Sequence, residues 1–198
     1  MTDEALMLAV RNGDLAKLAA LFDRYHRPLF DYLVRMTGNR AAAEDLVQDV
    51  FVRILKYRHT FRRDSRFDTW LFRIARNARA DYFQSRPMRE TPLEEAHQQA
   101  DAAADAGEQL DQDRQAARVR RALLLLREDQ RELIVLARYR GMKYEAIAEL
   151  LGIEVGTVKV RMHRAVKELR DIFLGLSEKP CTEKASTAKP SASGLLMA

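Results

Sequence analysis

The sequence predicts an all-α fold in which two small helical domains are joined by a flexible acidic linker. Three observations favour this fold class. Apolar residues recur three and four positions apart along most of the chain, and no segment alternates with the period of a strand. Segments 53–89 and 114–176 are basic, with 11 basic to 3 acidic and 14 basic to 8 acidic residues. Segment 90–113 has 8 acidic residues, no basic one and few large apolar ones, so it cannot form its own core.

These boundaries predict domains over 1–86 and 114–174, with a linker over 87–113 between them. The tail over 175–198 is rich in Ser, Ala, Lys and Pro and is expected to be disordered. Each domain is small for independent stability, which is typical of modules that dock on a larger partner.

Four helices are expected in the first domain. A short first helix ends at the Asn-Gly-Asp turn of 12–14, and Asp14 can cap a second helix that extends to about residue 36. A third helix is predicted over about 40–57. The stretch 58–67 lacks an apolar stripe and is expected to be a loop, after which Asp68-Thr69 can cap a fourth helix that extends to about residue 85.

Four more helices are expected over about 114–126, 129–140, 143–151 and 155–174. Gly141 ends the second of them, and Gly152 provides the sharp turn before the last. The last two have helix-turn-helix spacing, since Val158 and Met162 can pack the second onto the first. An αα-hairpin with no role in DNA binding has the same spacing, so this pattern alone leaves both interpretations open.

Composition and motifs argue against several classes of function. No apolar run approaches the roughly 20 residues of a membrane helix, and the N-terminus is acidic where a secretory signal would be basic, so we expect a cytoplasmic protein without membrane insertion. The single cysteine, Cys181, allows neither an intramolecular disulfide nor a cysteine-based zinc site, and the four histidines are far apart. No nucleophile–base pair and no phosphate loop is evident. We therefore expect no enzymatic activity, metal or cofactor.

The last helix has an outward face suited to a DNA groove. Small residues at its start allow close approach to phosphates, and helix N-termini favour anions. Lys159 and Arg164 can bind guanine edges or phosphates, and Val160 can contact a thymine methyl. The candidate residues are Gly156, Thr157, Lys159, Val160, His163, Arg164 and Lys167.

Aromatic and arginine residues are interleaved between 57 and 83, where seven of the fifteen aromatic residues lie. This pattern is typical of single-stranded nucleic-acid binding, since bases stack on rings while cations follow the backbone. The candidates are Phe61, Arg62, Arg63, Asp64, Ser65, Arg66, Phe67, Arg73, Arg76 and Asn77. Alternatively, rings such as Phe67 and Trp70 fill a small core, and for Trp70 the core is favoured.

The third helix has an outward stripe that includes Asp45, Gln48, Asp49 and Val52. Acidic residues near a helix N-terminus are stabilising through the macrodipole alone, which explains part of the stripe without any partner. The same stripe can dock on a basic helix of another protein.

Two long segments resemble the extracytoplasmic-function (ECF) sigma factors, the small two-domain sigma subunits of bacterial RNA polymerase. AEDLVQDVFVRILKYRHTFRRDSRFDTWLFRIARNARADYF is similar to their region two, and YEAIAELLGIEVGTVKVRMHRAVKEL is similar to their region four. The likeness spans about 6–86 and 114–174 in the family's order.

The resemblance implies a role for each candidate set. The stripe from Asp45 to Val52 would dock on the clamp helices of the largest polymerase subunit, and the flap of the second-largest subunit would be a further contact. A flipped base of the minus-ten element would be captured by the loop from Phe61 to Phe67, with Asn77, and Arg73 and Arg76 would lie on the same DNA-facing helix.

The minus-thirty-five duplex would be recognised by Lys159, Val160, His163 and Arg164. The acidic linker would thread the polymerase cleft, where its acids mimic nucleic acid. An anti-sigma factor covering both domains is the implied regulator.

Several positions depart from the family pattern. Arg63 replaces a frequent glycine and Val160 a frequent serine, so the minus-ten pocket and the minus-thirty-five sequence are expected to be specific to this chain. Lys143 and Glu154 stand where a hydroxyl cap is usual, and Arg127 replaces a common proline, which weakens each cap by about 1 kcal/mol. A stand-alone helix-turn-helix regulator of duplex operators is the main alternative function. An RNA-binding or scaffold protein also fits the charges but not the ordered motifs.

Overall fold

The computed structural model describes residues 1–85 and 108–176, and all regular structure within those ranges is helical. The first domain contains α1 (Asp3–Arg11), α2 (Lys17–Thr37), α3 (Arg40–Tyr57) and α4 (Phe67–Ser85), with a short 3-10 turn at Arg58–Thr60. The second contains α5 (Glu108–Leu125), α6 (Glu128–Ile134), α7 (Tyr144–Leu151) and α8 (Val155–Gly175). The all-α prediction is confirmed. Most of the predicted linker and the tail from residue 177 lie outside the described residues.

Local caps define three helix ends of the first domain. The Thr2 hydroxyl accepts from the Ala5 amide at the start of α1, and the Asn39 side chain accepts from the Ala42 amide at the start of α3. Gly38 ends α2 with a φ of 71°, a conformation that glycine adopts without strain. The predicted Asp14 cap is wrong, because residue 16 occupies the cap position of α2 without a side-chain bond. An extra turn between 14 and 17 delays the start of the helix.

Two helices of the second domain differ from the prediction. The helix predicted from 114 begins at 108, so the end of the expected linker is helical. The helix predicted over 129–140 changes after Ile134 into a π-helical segment over Val135–Tyr139, where the Arg140 amide donates to the Val135 carbonyl. Gly141, at φ 64°, ends it as predicted. Periodicity could not detect this change, because the π-helical segment is about one turn long and lies at the end of the helix, so little apolar stripe follows it.

The two domains share one continuous apolar core rather than standing apart. Buried side chains extend from Leu6 in α1 to Ala165 in α8. At the contact between domains, the end of α2 approaches α5 closely enough that a Cβ on Gly38 would lie 3.0 Å from two atoms of Leu124. The Arg140 guanidinium lies over the ring of Phe72 at 5.2 Å, which joins the end of the π-helical segment to α4.

Arg131 of α6 joins the two domains through hydrogen bonds. Its guanidinium donates to the carbonyls of Leu123, Leu124 and Leu126 at the end of α5, at 2.6–3.0 Å, and to the Met36 carbonyl of α2 at 2.7 Å. The last carbonyls of a helix have no partner within the helix and favour a cation. One side chain therefore caps the ends of two helices that belong to different domains.

Candidate nucleic-acid interface

The helices α7 and α8 form a compact helix-turn-helix. Gly152 ends α7 in the left-handed region at φ 67°, and α8 begins three residues later. Val158, Met162 and Ala165 are buried on the inner side of α8, against the buried inner residues of α7. The packing predicted from spacing is therefore confirmed. Neither Lys143 nor Glu154 makes a side-chain cap, in agreement with the departures seen in the sequence.

The outward face of α8 is accessible. Lys159, Arg164 and Lys167 are exposed, and no ion pair joins them to any residue of 1–85 or 114–176. Val160 stands among them with 53% of its surface exposed. Of the other predicted residues, Gly156 and His163 are exposed and Thr157 is half-buried. The structure thus brings the predicted set together on one accessible face, where cations can meet phosphates and Val160 can meet a base.

The loop between α3 and α4 is attached to the first domain at both ends. The Phe61 carbonyl accepts from the Arg11 guanidinium at 2.8 Å, and the Phe67 amide donates to the Glu4 carboxylate at 3.3 Å. Between these anchors, Arg62, Arg63, Asp64 and Arg66 are exposed and Ser65 is half-buried. Arg66 pairs with Asp68 at 3.0 Å. The loop therefore presents a compact cationic tip on a fixed base.

The rings of Phe61 and Phe67 require a correction to the expected base capture. Both are fully buried, so neither ring is available to stack on a DNA base in this conformation. They pack edge to face with each other at 6.2 Å, and Phe61 packs against Trp70 at 5.3 Å. Trp70 is itself buried and its Nε1 donates to the Thr60 hydroxyl at 3.3 Å, which confirms the core assignment favoured for it. The aromatic cluster supports the loop from beneath.

The arginine face of α4 meets the second domain. Arg73 donates to the Glu149 carbonyl of α7 at 3.3 Å, and Arg76 pairs with Glu132 of α6 at 3.2 Å. Asn77, the residue after Arg76, is exposed. Two of the predicted DNA-facing cations are therefore engaged by α6 and α7.

A buried acid lies at the centre of this contact. Glu132 is 3% exposed, and its carboxylate accepts from the Tyr32 hydroxyl of α2 at 2.8 Å. Arg79, also 3% exposed, lies 4.0 Å from Glu132 and pairs with Glu128 at 2.5 Å. Burial, followed by the nearby Glu132 charge, raises the pKa of the Tyr32 hydroxyl well above its usual range, so it stays a donor. Sequence reasoning missed this cluster, because helical periodicity gave no sign that an acid on α6 would be buried.

The stripe on α3 is accessible. Asp45 and Gln48 are exposed, Asp49 is half-buried and pairs with Arg53 at 2.9 Å, and Val52 is 63% exposed. Arg53 also pairs with Asp81 of α4 at 2.5 Å. Val52 is therefore an exposed apolar residue among polar and acidic side chains of α3.

Within the described residues, no group of three or more histidine, cysteine or acidic side chains could hold a metal ion. None of the helices in 1–85 and 108–176 is long and apolar enough to cross a membrane.

Comparison with known families matches both halves of the chain. A family model described as Sigma-70 region 2 matches residues 21–87, and one described as Sigma-70, region 4 matches residues 116–169. RNA polymerase sigma factor CarQ of Myxococcus xanthus is 31% identical over 176 residues, which cover 82% of this chain and 92% of that protein. The ECF RNA polymerase sigma-E factor of Haemophilus influenzae is 32% identical, with 83% and 92% covered.

Solved structures with a similar fold are also found. CnrH, in complex with the cytosolic domain of CnrY, aligns with a TM-score of 0.66 and 26% identity, covering 89% of this chain and 99% of that one. The sigma factor RpoE, in complex with the anti-sigma factor NepR from Bartonella quintana, aligns with a TM-score of 0.60 and 23% identity, covering 79% and 96%. At that identity the second likeness concerns the fold alone.

Proposed function

The chain belongs to the ECF sigma factors of bacterial RNA polymerase, which direct the enzyme to promoters, and from this membership we propose how its surfaces divide that work. The face of α8 binds the minus-thirty-five duplex, the loop before α4 binds the melted minus-ten strand, and the stripe of α3 binds the polymerase. The observation that supports this division best is the accessible cationic face of α8. Two sigma regions in one chain favour this function over a stand-alone regulator of duplex operators.

On α8, the proposed contacts follow the chemistry of the major groove. Lys159 and Arg164 donate to guanine edges or phosphates, while the methyl groups of Val160 pack against a thymine methyl. Gly156 and Thr157, at the helix start, let the backbone approach a phosphate. Lys167 lies further along α8 and contributes a phosphate contact.

At the minus-ten element, we propose that the exposed arginines of the loop hold the backbone of the unpaired strand. The buried Phe61 and Phe67 fix the loop's shape, and Asn77 can hydrogen-bond a captured base. Captured bases stabilise the melted strand by population shift, so promoter melting needs no covalent chemistry from this chain. Consistent with that, we propose that the chain has no catalytic activity and that the polymerase performs the reaction.

On α3, we propose that Val52 with Asp45, Gln48 and Asp49 docks on the clamp helices of the largest polymerase subunit. The acids pair with basic residues of the partner, and Val52 is covered by an apolar side chain. The flap of the second-largest subunit is the proposed contact for the second domain. Because the polymerase is cytoplasmic, we propose that this chain acts in the cytoplasm.

We also propose a regulatory protein partner. CnrH was solved in complex with the cytosolic domain of CnrY. A comparable partner that covers both domains would keep this chain from the polymerase.

In vitro transcription with core polymerase tests the proposal. Wild-type protein should produce promoter-specific transcripts from a genomic fragment library, and the absence of any such transcript would refute it. Arg164→Ala should weaken minus-thirty-five binding by about 1–3 kcal/mol and leave core binding unchanged. Arg170→Ala removes an exposed cation from the far end of the same helix and should change neither.

Core binding is tested separately in a pull-down with purified polymerase. Asp45→Lys should reduce retention on core polymerase, because it reverses charge on an exposed part of the α3 stripe. Glu145→Lys makes the same charge change on the second domain and serves as the control. Equal retention of both variants would contradict the proposed docking surface.

A further inference from the structure

Two polar side chains of α1 hold the two ends of the loop that is proposed to bind the minus-ten strand. At the first end, the Arg11 guanidinium donates to the Phe61 carbonyl at 2.8 Å, across 50 residues of sequence. At the second end, the Glu4 carboxylate accepts from the Phe67 amide at 3.3 Å, across 63 residues. Residues 62–66 lie between these bonds, and most of them are exposed. The course of the loop therefore depends on a helix far from it in sequence.

The helix α1 is itself firmly attached to the first domain. Its Asp3 carboxylate accepts from the Arg24 guanidinium at 2.5 Å and from the Tyr25 hydroxyl at 2.6 Å, both on α2. The Tyr25 ring also packs edge to face on the Phe67 ring at 5.0 Å, beneath the second end of the loop. Three apolar side chains on the inner side of α1 are buried in the core: Leu6, Met7 and Val10. The helix is thus a fixed support for both ends of the loop.

Both bonds are made to main-chain groups, so they fix the backbone of the loop rather than one of its side chains. The Phe67 amide is among the first N–H groups of α4, which have no partner within the helix, and a carboxylate such as Glu4 is favourable there. A loop whose ends are already fixed loses less conformational entropy when its tip binds a ligand. The two side chains can therefore raise the affinity for a DNA strand without contacting it.

We propose that Arg11 and Glu4 are positioning residues for minus-ten strand binding, which act through the backbone of the loop. This inference rests on the proposed role of that loop. Electrostatics alone predicts opposite effects when the two are removed, because DNA is a polyanion: loss of the cation weakens binding, and loss of the acid strengthens it. Positioning predicts instead that loss of either hydrogen bond weakens binding.

Glu4 gives the sharper test, because two substitutions make the same charge change and differ in the hydrogen bond. Glu4→Gln keeps a side-chain oxygen that can accept from the Phe67 amide, whereas Glu4→Leu has no acceptor. Binding is measured with the full chain by fluorescence anisotropy on a labelled single-stranded DNA of random sequence. Glu4→Leu should bind about fivefold more weakly than Glu4→Gln, which is about the contribution of one hydrogen bond. Equal dissociation constants, or tighter binding by Glu4→Leu, would overturn the proposal.

Arg11 is tested through the salt dependence of the same binding reaction. Each phosphate contact to a single strand contributes about 0.7 to the slope of log Kd against log salt concentration. Arg11→Met should bind about fivefold more weakly with the slope of the wild type, because the lost bond is within the protein. Arg27→Met removes an exposed cation from α2 and should bind within about twofold of wild type. A slope reduced by about 0.7 in Arg11→Met would reveal a direct phosphate contact and would also overturn the proposal.

A variant at the tip of the loop separates this inference from the proposed function. Arg62 is exposed and is proposed to hold the strand backbone, so Arg62→Met should weaken binding and reduce the slope by about 0.7. If Arg62→Met changes neither quantity, the proposed role of the loop fails. If Arg62→Met behaves as expected while Arg11→Met binds like Arg27→Met and Glu4→Leu like Glu4→Gln, the loop binds DNA and only the positioning role fails.

Discussion

Replacing Arg131 with methionine removes the guanidinium that caps both α2 and α5. Methionine keeps much of the aliphatic stem but donates to none of the four carbonyls that Arg131 serves. At about 1 kcal/mol for each hydrogen bond, the loss is about 4 kcal/mol. Burial lowers the pKa of Arg131, which means that desolvation opposes its charged form in the folded protein. Removing the charge returns part of this cost, so we expect a net loss of about 3 kcal/mol.

Urea unfolding followed by circular dichroism measures this loss as a change in midpoint. A domain of ordinary stability unfolds with about 5–15 kcal/mol, so the shift should be large. Because the domains share one core, we expect a single transition for the wild type, and because Arg131 joins the domains, we expect a broadened or split transition for the variant. Arg127→Met is the control, since Arg127 is 76% exposed and pairs with the exposed Asp129, and it should change stability by less than about 0.5 kcal/mol. A loss below about 1 kcal/mol for Arg131→Met would refute the assignment.

Three further predictions concern alkaline stability, a turn and promoter preference. Burial, and then the hydrogen bond to Asp3, raise the pKa of Tyr25 above its ordinary value of 10.0, so stability should fall as the pH rises above about 10. Tyr25→Phe should flatten that fall in unfolding experiments across alkaline pH. Gly38→Ala should cost about 1–2 kcal/mol in thermal or urea unfolding, because an alanine is strained at φ 71° and its Cβ would meet Leu124. Replacing one thymine of a minus-thirty-five duplex by deoxyuracil should weaken binding by roughly fourfold, because it removes the one methyl group that Val160 is proposed to contact. Val160→Ser should abolish that sensitivity in a gel-shift assay.

Each of the three has a matched control. Tyr57→Phe alters an exposed ring and should leave the alkaline profile as it is. Gly156 lies in a helix, and a methyl group added there would meet no atom of the described residues within 4 Å, so Gly156→Ala should not destabilise the protein. Val166→Ser lies further along α8 and should leave the thymine sensitivity in place. A control that behaves like its test variant would contradict the corresponding prediction.

The sequence predicted the helices, the helix-turn-helix and the outward face of α8 because each depends on local spacing. Val158, Met162 and Ala165 repeat at three- and four-residue intervals, so their burial follows from the geometry of a single helix. The same local signal could not locate Glu132, because its burial depends on the approach of α2 and α4 from elsewhere in the chain. Burial that depends on tertiary contacts of this kind produces no periodic pattern in the sequence.

The aromatic loop illustrates a different limit. Interleaved rings and arginines at 57–83 indicated nucleic-acid binding, and the arginines of the loop are indeed exposed. Composition does not distinguish an exposed ring that stacks on a DNA base from a buried ring of the core, since both uses favour large planar side chains. The structure assigns Phe61 and Phe67 to the core, leaving the loop's exposed arginines and backbone to carry the proposed contacts.

The position of Trp70 gives the protein a built-in optical reporter. It is the single tryptophan of the chain, and it lies beneath the loop proposed to hold the DNA strand, with its indole nitrogen hydrogen-bonded to Thr60. If the proposed strand binding moves that loop, we expect the polarity around the indole to change, and with it the emission wavelength and intensity. Strand capture can be followed in real time without attaching a dye, and stopped-flow mixing of unlabelled protein with DNA would give the rate of the step directly.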